Sequence, residues 1–390
     1  MGASLGWPSP VLYEIRHTGR PINLTDTDTA VMVSMYHIGN VVMPLPSGLL
    51  IDYKGRKTGL LLMTVAPITS WILIYFVKHS AMLHVARLLA GFWSGVVLTA
   101  VPLYIGEIAE PKMRGALGSL GHIFINIGLL LVYTSGSLMS YWNLAIMCGA
   151  ISFVFVPILV MIPESPHWLI QKGASEKAAK NLLWLRGGNK ASDVSEEIES
   201  LVAAVNWQAG RPKELKTLWK SRGNRKAVII VEVLGICQRM AGISAVIAFT
   251  AITLPDQNIG MLTPDGCVAI IFGVGMLSMI GVIYYVDRFG RVPLLIISCT
   301  GCCISMLTAC VWYALHNNTT DFRLPWIPFA SLLSFNIFFN LGLGPIPGVI
   351  QGEIIPPNYK AFVSGWTAII LAFASLITNA IYIYVAQKHG

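Results

Sequence analysis

The chain has 390 residues, 55% of them hydrophobic and only 12% charged, with a net charge of +8 and a mean hydropathy of +0.65. Soluble domains carry about twice that charged share, and so much apolar surface exceeds what a soluble fold can hide. Lys and Arg fall in short clusters between apolar runs instead of on one basic face, which excludes the nucleic-acid partner that the net charge alone would invite.

Ten apolar runs have about the length needed to cross roughly 30 Å of hydrocarbon. The first, 30–51, ends in the loop Asp52-Tyr53-Lys54-Gly55-Arg56-Lys57. Runs 58–77 and 81–106 follow, the latter with Gly91 and Gly95 at the spacing that lets membrane helices approach closely. Run 115–136 has a second small-residue face, Gly115, Gly118 and Gly121, and carries His122 and Asn126; run 141–162 is almost wholly apolar. Residues 163–226 are polar and read as short amphipathic helices, too small for an enzymatic domain. They split the chain into five spans before and five after: an N-terminal bundle 1–162, a linker 163–226 and a C-terminal bundle 227–390.

In the second half, run 227–250 holds Glu232, Gln238, Arg239 and Ser244, and run 266–286 ends in Asp287-Arg288-Phe289-Gly290-Arg291. Run 292–314 follows. Run 326–351 is interrupted by Gly342, Gly344, Pro345, Pro347 and Gly348, and run 361–386 closes the series. Proline removes a backbone donor, and broken backbone at membrane depth is tolerated only against protein or a water cavity. That break therefore predicts a hinge and a cavity. Arg239 lies roughly 20 Å along its helix from Lys226 at about 1.5 Å per residue. There an Arg costs about 3 kcal/mol unless paired or wetted, so it is expected to face a central cavity. Two readings stand: it gives that cavity a positive field for an anionic ligand, or it is a structural Arg bridged to Glu232 or another helix.

The Asp-x-x-Gly-Arg loop occurs at Asp52–Arg56 and again at Asp287–Arg291, at corresponding places in the two halves, as in a transporter built from repeats. Glycine allows the tight reversal, and Arg offers a bidentate fork to a carboxylate. Lys54, Arg56, Lys57, Lys112, Arg114, Arg288, Arg291 and Lys360 lie in alternate loops on the side of the polar linker, which the positive-inside rule puts in the cytoplasm. The Asn-x-Ser/Thr glycosylation sequons, Asn23, Asn317 and Asn318, all fall in loops on the other side. The seven cysteines have no ligand or disulfide spacing, and no catalytic triad, metal cluster, nucleotide loop or signal peptide is visible. The expectation is a non-enzyme with no cofactor and no metal.

The motifs in order are Gly48-x-x-x-Asp52-x-x-Gly55-Arg56-Lys57; Arg87-x-x-x-Gly91; Pro102-x-Tyr104-Ile105-x-Glu107-Ile108 with Arg114-Gly115; Pro163-Glu164-Ser165-Pro166; Asp287-x-x-Gly290-Arg291; and Gly344-Pro345-Ile346-Pro347 with Glu353. Together they resemble the sugar porters of the major facilitator superfamily from about Leu5 to Gly390, and within it the arthropod facilitated trehalose transporters. The resemblance implies an all-α polytopic membrane protein of two pseudo-symmetric helix bundles, in the plasma membrane, moving a sugar of the trehalose or hexose class by alternating access. It implies a gating network of Asp52, Arg56, Lys57, Glu107, Arg114, Glu164, Asp287, Arg291, Glu353 and Lys360. It places substrate contacts at His122, Asn126, Gln238, Arg239, Ser244 and Gly348, of which Arg239, Ser244 and Gly348 depart from the family's Gln, Asn and Trp. No carboxylate stands in Gly2–Leu12, so facilitated diffusion is expected over proton coupling. Against the family's twelve helices the chain shows about ten complete ones, a partial first helix and no twelfth. The same fold carrying an organic anion, or a truncated sensor or partner that does not transport, are the alternatives; an oligomeric state is not read from the sequence.

Overall fold

The apolar runs fold as helices because a backbone in hydrocarbon must satisfy its own hydrogen bonds, and no strand occurs among the described residues. The computed structural model describes residues 1–110, 113–136, 138–188, 194–209, 219, 221–254, 264–318, 324, 326–355 and 359–389. Within these it describes backbone alone at 16, 17, 114–116, 118, 119, 122, 207–209, 252, 264, 265, 280–287, 316–318, 360, 361 and 386–389.

The chain opens on α1 (Gly2–Gly6) and α2 (Pro8–Thr18), which meet at the fully buried Trp7. Pro8 stands at the first position of α2, where its missing N–H costs nothing. A capping box between Thr25 and Asp28 starts α3 (Asp26–Val42), and Pro44 bends the same span into α4 (Pro44–Lys54). Then come α5 (Arg56–Met63), α6 (Val65–Tyr75), α7 (Ser80–Ile108), α8 (Arg114–Gly136) and α9 (Tyr141–Met161). The polar stretch holds α10 (Pro166–Gln171), α11 (Ser175–Arg186) and α12 (Ser195–Ala209).

The second half starts with α13 (Arg222–Met240) and α14 (Ile243–Thr253), one span broken at Gly242, followed by α15 (Pro264–Phe289) and α16 (Arg291–Asn318). The Gly- and Pro-rich run is α17 (Trp326–Phe338), a π-helical segment Phe339–Leu343, and α18 (Ile346–Ile354). The last helix is α19 (Lys360–His389).

Against ten expected spans, 7 described helices are long and apolar enough to cross a membrane: 56–75, 80–108, 141–161, 222–251, 291–315, 326–354 and 362–385. The described parts of two more, 123–136 and 266–279, are apolar but shorter. The remaining run, 30–51, is the bent pair α3 and α4. Leu49, Phe153, Met161, Leu277 and Leu307 are 63–79% exposed, the outward apolar surface of a protein whose solvent is lipid.

Gly91 meets α3 with no room for a side chain: a Cβ there would stand 2.1 Å from the carbonyl oxygen of Tyr36, and one on Gly39 would stand 2.4 Å from that of Leu88. Of the second expected glycine face, Gly115 and Gly118 lie outside the side chains the structure describes. A Cβ on Gly121 would meet nothing within 4 Å, and α8 instead packs at Gly128, whose Cβ would stand 2.9 Å from Ala3 N.

The buried clusters divide by depth. One joins Trp7, Val11, Trp71 and Leu144 to Ala248 and Phe249; another joins Leu129 and Tyr133 to Ile247, Phe272 and Phe335. Both draw on the two halves of the chain, and both lie toward the ends assigned outside. Tyr133 Oη donates to Ile247 O across the halves at 2.8 Å. Toward the cytoplasm, the cluster of Ile51, Leu60, Trp93 and Leu159 belongs to the first half, and that of Val228, Val231, Ile355 and Val363 to the second. The halves are thus packed together on the outer side and keep separate cores on the inner side.

Candidate functional site

Two arrangements of polar side chains stand out, one at the cytoplasmic end of the first half and one at the centre. At the first, Gly55 adopts φ 106°, a left-handed conformation that only glycine accepts without strain, and reverses the chain between α4 and α5. The N-terminus of α5 then presents free N–H groups. Glu164 Oε1 accepts from Arg56 N at 2.8 Å and Lys57 N at 3.0 Å, so a carboxylate sits where helix geometry favours negative charge.

The Arg56 side chain turns the other way. Its Nε donates to Glu107 Oε2 at 2.9 Å and its Nη2 to Glu107 Oε1 at 2.7 Å, a bidentate pair with the two side chains 5% and 9% exposed. Nη1 adds Asp52 Oδ1 at 3.1 Å. Lys57 Nζ donates to Val160 O at 2.6 Å, and Trp168 Nε1 to Asp52 O at 2.9 Å. The linker joins in: Asn181 donates to Glu164 O, and Arg186 forks onto Glu197 while donating to Ile108 O. Hydrogen bonding to Glu197 raises the Arg186 guanidinium above its ordinary range.

The second half repeats the device more loosely. Gly290 has φ 80°, and Arg291 Nη2 donates to Glu353 Oε1 at 2.7 Å, with side chains 36% and 47% exposed. Of the other expected gating residues, the side chains of Arg114, Asp287 and Lys360 lie outside what the structure describes.

The central cavity lies between the halves. Tyr36, His37 and Asn40 of α3 and Ser94 of α7 line it from the first half; Arg239, Ser244 and Ser375 line it from the second. His37 Nδ1, Asn40 Oδ1 and Arg239 Nε are buried without a hydrogen-bond partner, whereas Ser244 Oγ donates to Ser375 Oγ at 2.9 Å. Behind Tyr36 lies Arg87, 2% exposed, its guanidinium 4.7 Å from the Tyr36 ring and its Nη1 donating to Ser4 O at 2.5 Å. Unpaired buried polar groups are costly, so a constellation of them around a cavity is fitted to a polar occupant.

The six expected substrate contacts separate accordingly. Arg239 and Ser244 line the cavity. Gln238, the neighbour of Arg239, gives Nε2 to Leu343 O at 3.0 Å and Gly344 O at 2.7 Å, satisfying carbonyls that the broken helix leaves free. Asn126 Nδ2 points to Met279 Sδ at 3.6 Å, and a Cβ on Gly348 would meet nothing within 4 Å. The side chain of His122 lies outside the described part. Sequence reasoning passed over His37 and Asn40, although a His and an Asn one turn apart inside an apolar span were the signal that could have found them.

A family model described as "Sugar (and other) transporter" matches residues 6–390. The chain is 32% identical over 365 residues to a facilitated trehalose transporter, Tret1, of Culex quinquefasciatus, covering 92% of this chain and 70% of that one. It is 33% identical over 370 residues to the Apis mellifera ligustica protein of the same name, covering 92% and 72%. The similar Aedes aegypti protein, at 31% identity, is matched over 45% of its length. Among solved structures, the xylose transporter XylE from E. coli in a partially occluded inward open conformation superimposes with a TM-score of 0.80 at 19% identity, over 98% of this chain and 88% of that one. The same symporter bound to 6-bromo-6-deoxy-D-glucose gives 0.77 at 19% identity, over 99% and 87%. At such identities the likeness is one of fold.

Proposed function

Because this chain belongs to the family of sugar (and other) transporters and has the all-helical major facilitator fold, we propose that it carries a sugar of the trehalose or hexose class across the plasma membrane by facilitated diffusion. The observation that carries the reading is the cavity at the join of the two halves, lined from both and rich in unpaired polar atoms. Alternating access follows from the division of the cores. Residues 1–162 and 227–390 act as two bundles rocking about the cavity, with 163–226 as the cytoplasmic strap. Outer clusters that span the halves close the path outward, and separate inner cores leave it free to open inward.

In this reading Arg239 and Ser244 contact the solute, and Asp52, Arg56, Lys57, Glu107, Glu164, Arg291 and Glu353 brace the cytoplasmic ends as the bundles move. The break at Phe339–Leu343 supplies the hinge, since a π-segment already departs from the regular helical ladder. Facilitated diffusion is favoured because, among the described residues, no carboxylate lines the cavity to carry a proton.

The test is uptake of radiolabelled trehalose and glucose into liposomes holding the purified chain. Saturable uptake that equilibrates the sugar, at the same initial rate with and without an inward proton gradient, is expected. Absence of saturable uptake overturns the transport reading, and a steep rise with the gradient overturns facilitated diffusion.

A further inference from the structure

Arg239 gives the cavity a positive charge, the His37 imidazole faces it from the other half, and among the described residues no Asp or Glu lines it. Arg87 stands behind Tyr36, its guanidinium 4.7 Å from that ring. The carboxylate on the same helix as Arg239, Glu232, is seven residues away, about two turns or roughly 10 Å along the axis. It accepts instead from Thr367 Oγ1 at 2.7 Å. A cationic side chain in a low-dielectric site attracts an anion far more strongly than in water. Nε of Arg239 and Nδ1 of His37 are both buried and unpartnered, and a negative group between them would pair with the Arg239 charge.

We propose that the carried solute bears a carboxylate, which docks between Arg239 and His37 while its hydroxyls meet Asn40 and Ser94. This rests on the transport reading and changes its solute, from a neutral sugar to an acidic one such as a uronate. A carboxylate is the fitting group because Arg presents a planar fork that matches it in two hydrogen bonds. The same chemistry is offered by a carboxylate without a sugar ring, so both sources enter the test. The step is transfer across the membrane alone: no bond forms or breaks. With no proton carried alongside, each uronate moved carries one negative charge, and each malate two.

The experiment reconstitutes the full chain in liposomes and measures uptake of labelled glucuronate, malate and glucose at equal concentrations, with the interior held at zero or positive potential. Glucuronate uptake above glucose uptake, rising when the interior is positive, is expected. Arg239→Gln is expected to lower the ratio of acidic to neutral uptake by about tenfold or more, and Arg239→Lys, which keeps the charge and loses the fork, to lower it less. Malate uptake above glucuronate uptake supports the carboxylate and removes the ring from the solute. Glucose uptake without glucuronate or malate uptake overturns this inference and leaves sugar transport standing. No uptake of any of the three by monodisperse, inserted protein overturns this inference, and no uptake of trehalose either overturns the transport reading as well. Should Arg239→Gln fail to fold, thermal stabilisation of the unmodified protein decides: a larger shift with glucuronate than with glucose supports the carboxylate, and an equal or smaller one overturns it.

Discussion

Gln238 ties the central helix to the broken one: its Nε2 donates to Gly344 O at 2.7 Å and to Leu343 O at 3.0 Å. The π-segment and its prolines leave carbonyls without donors in their own helix, and in a membrane the replacement must come from a neighbour. Ser298 does the same from α16, accepting from Leu343 N at 2.8 Å and donating to Phe338 O at 2.7 Å. The break is therefore held by the residue next to Arg239, so the proposed hinge and the cavity share one helix.

Gln238→Leu removes the donor and leaves two carbonyls unpaired. It should lower stability by about 1–3 kcal/mol. Gln238→Glu, which accepts but does not donate when ionised, should lower it similarly. Thermal melting of the purified protein measures the loss. Maximal uptake rate should fall with it, because an unanchored hinge no longer moves with α13.

Gly91→Ala puts a methyl group 2.1 Å from Tyr36 O and forces α3 and α7 apart. Overpacking of this kind costs about 1–3 kcal/mol. Gly48→Ala is the matched control, since its Cβ would meet nothing within 4 Å; it should be neutral, or stabilising by up to about 1 kcal/mol through helix propensity. A common melting temperature for the two variants would contradict the packing argument.

The two Asp-x-x-Gly-Arg loops should respond unequally. Glu107→Gln leaves the buried Arg56 with the exposed Asp52 carboxylate alone for a partner, a loss of about 3 kcal/mol. Glu353→Gln breaks a pair whose side chains are 36% and 47% exposed, and such pairs contribute at most about 1 kcal/mol. The first variant should accumulate poorly in membranes and melt early, while the second should melt with the unmodified protein. Equal destabilisation would show that burial does not set the difference.

Asn23 lies exposed in the loop between α2 and α3, just before the capping box at Thr25. We expect it to be glycosylated when the chain is made in a eukaryotic secretory pathway. Asn23→Gln should abolish one glycosidase-sensitive gel shift. A sequon inserted at residue 173, in the turn between α10 and α11, should stay unmodified. The opposite pattern would invert the assigned orientation.

What the sequence determined by itself was local. A span in lipid must bond its own backbone, so apolar length, proline and glycine write its position directly into the chain; the helices and the break near Gly344 are found where the spacing puts them. The Gly-Arg reversals were legible for the same reason, since a positive φ at Gly55 and Gly290 is a property of a few adjacent residues. What only the tertiary structure decided was which side chains meet. Gln238 and Arg239 are adjacent in the chain, yet one is committed to the backbone of the broken helix and the other faces the cavity. The polar atoms opposite Arg239 come from α3 and α7, far earlier in the chain. That pairing depends on how each helix is rotated and how closely Gly39 and Gly91 let α3 approach α7. Helix rotation is set by packing between segments, which no spacing within a single segment records.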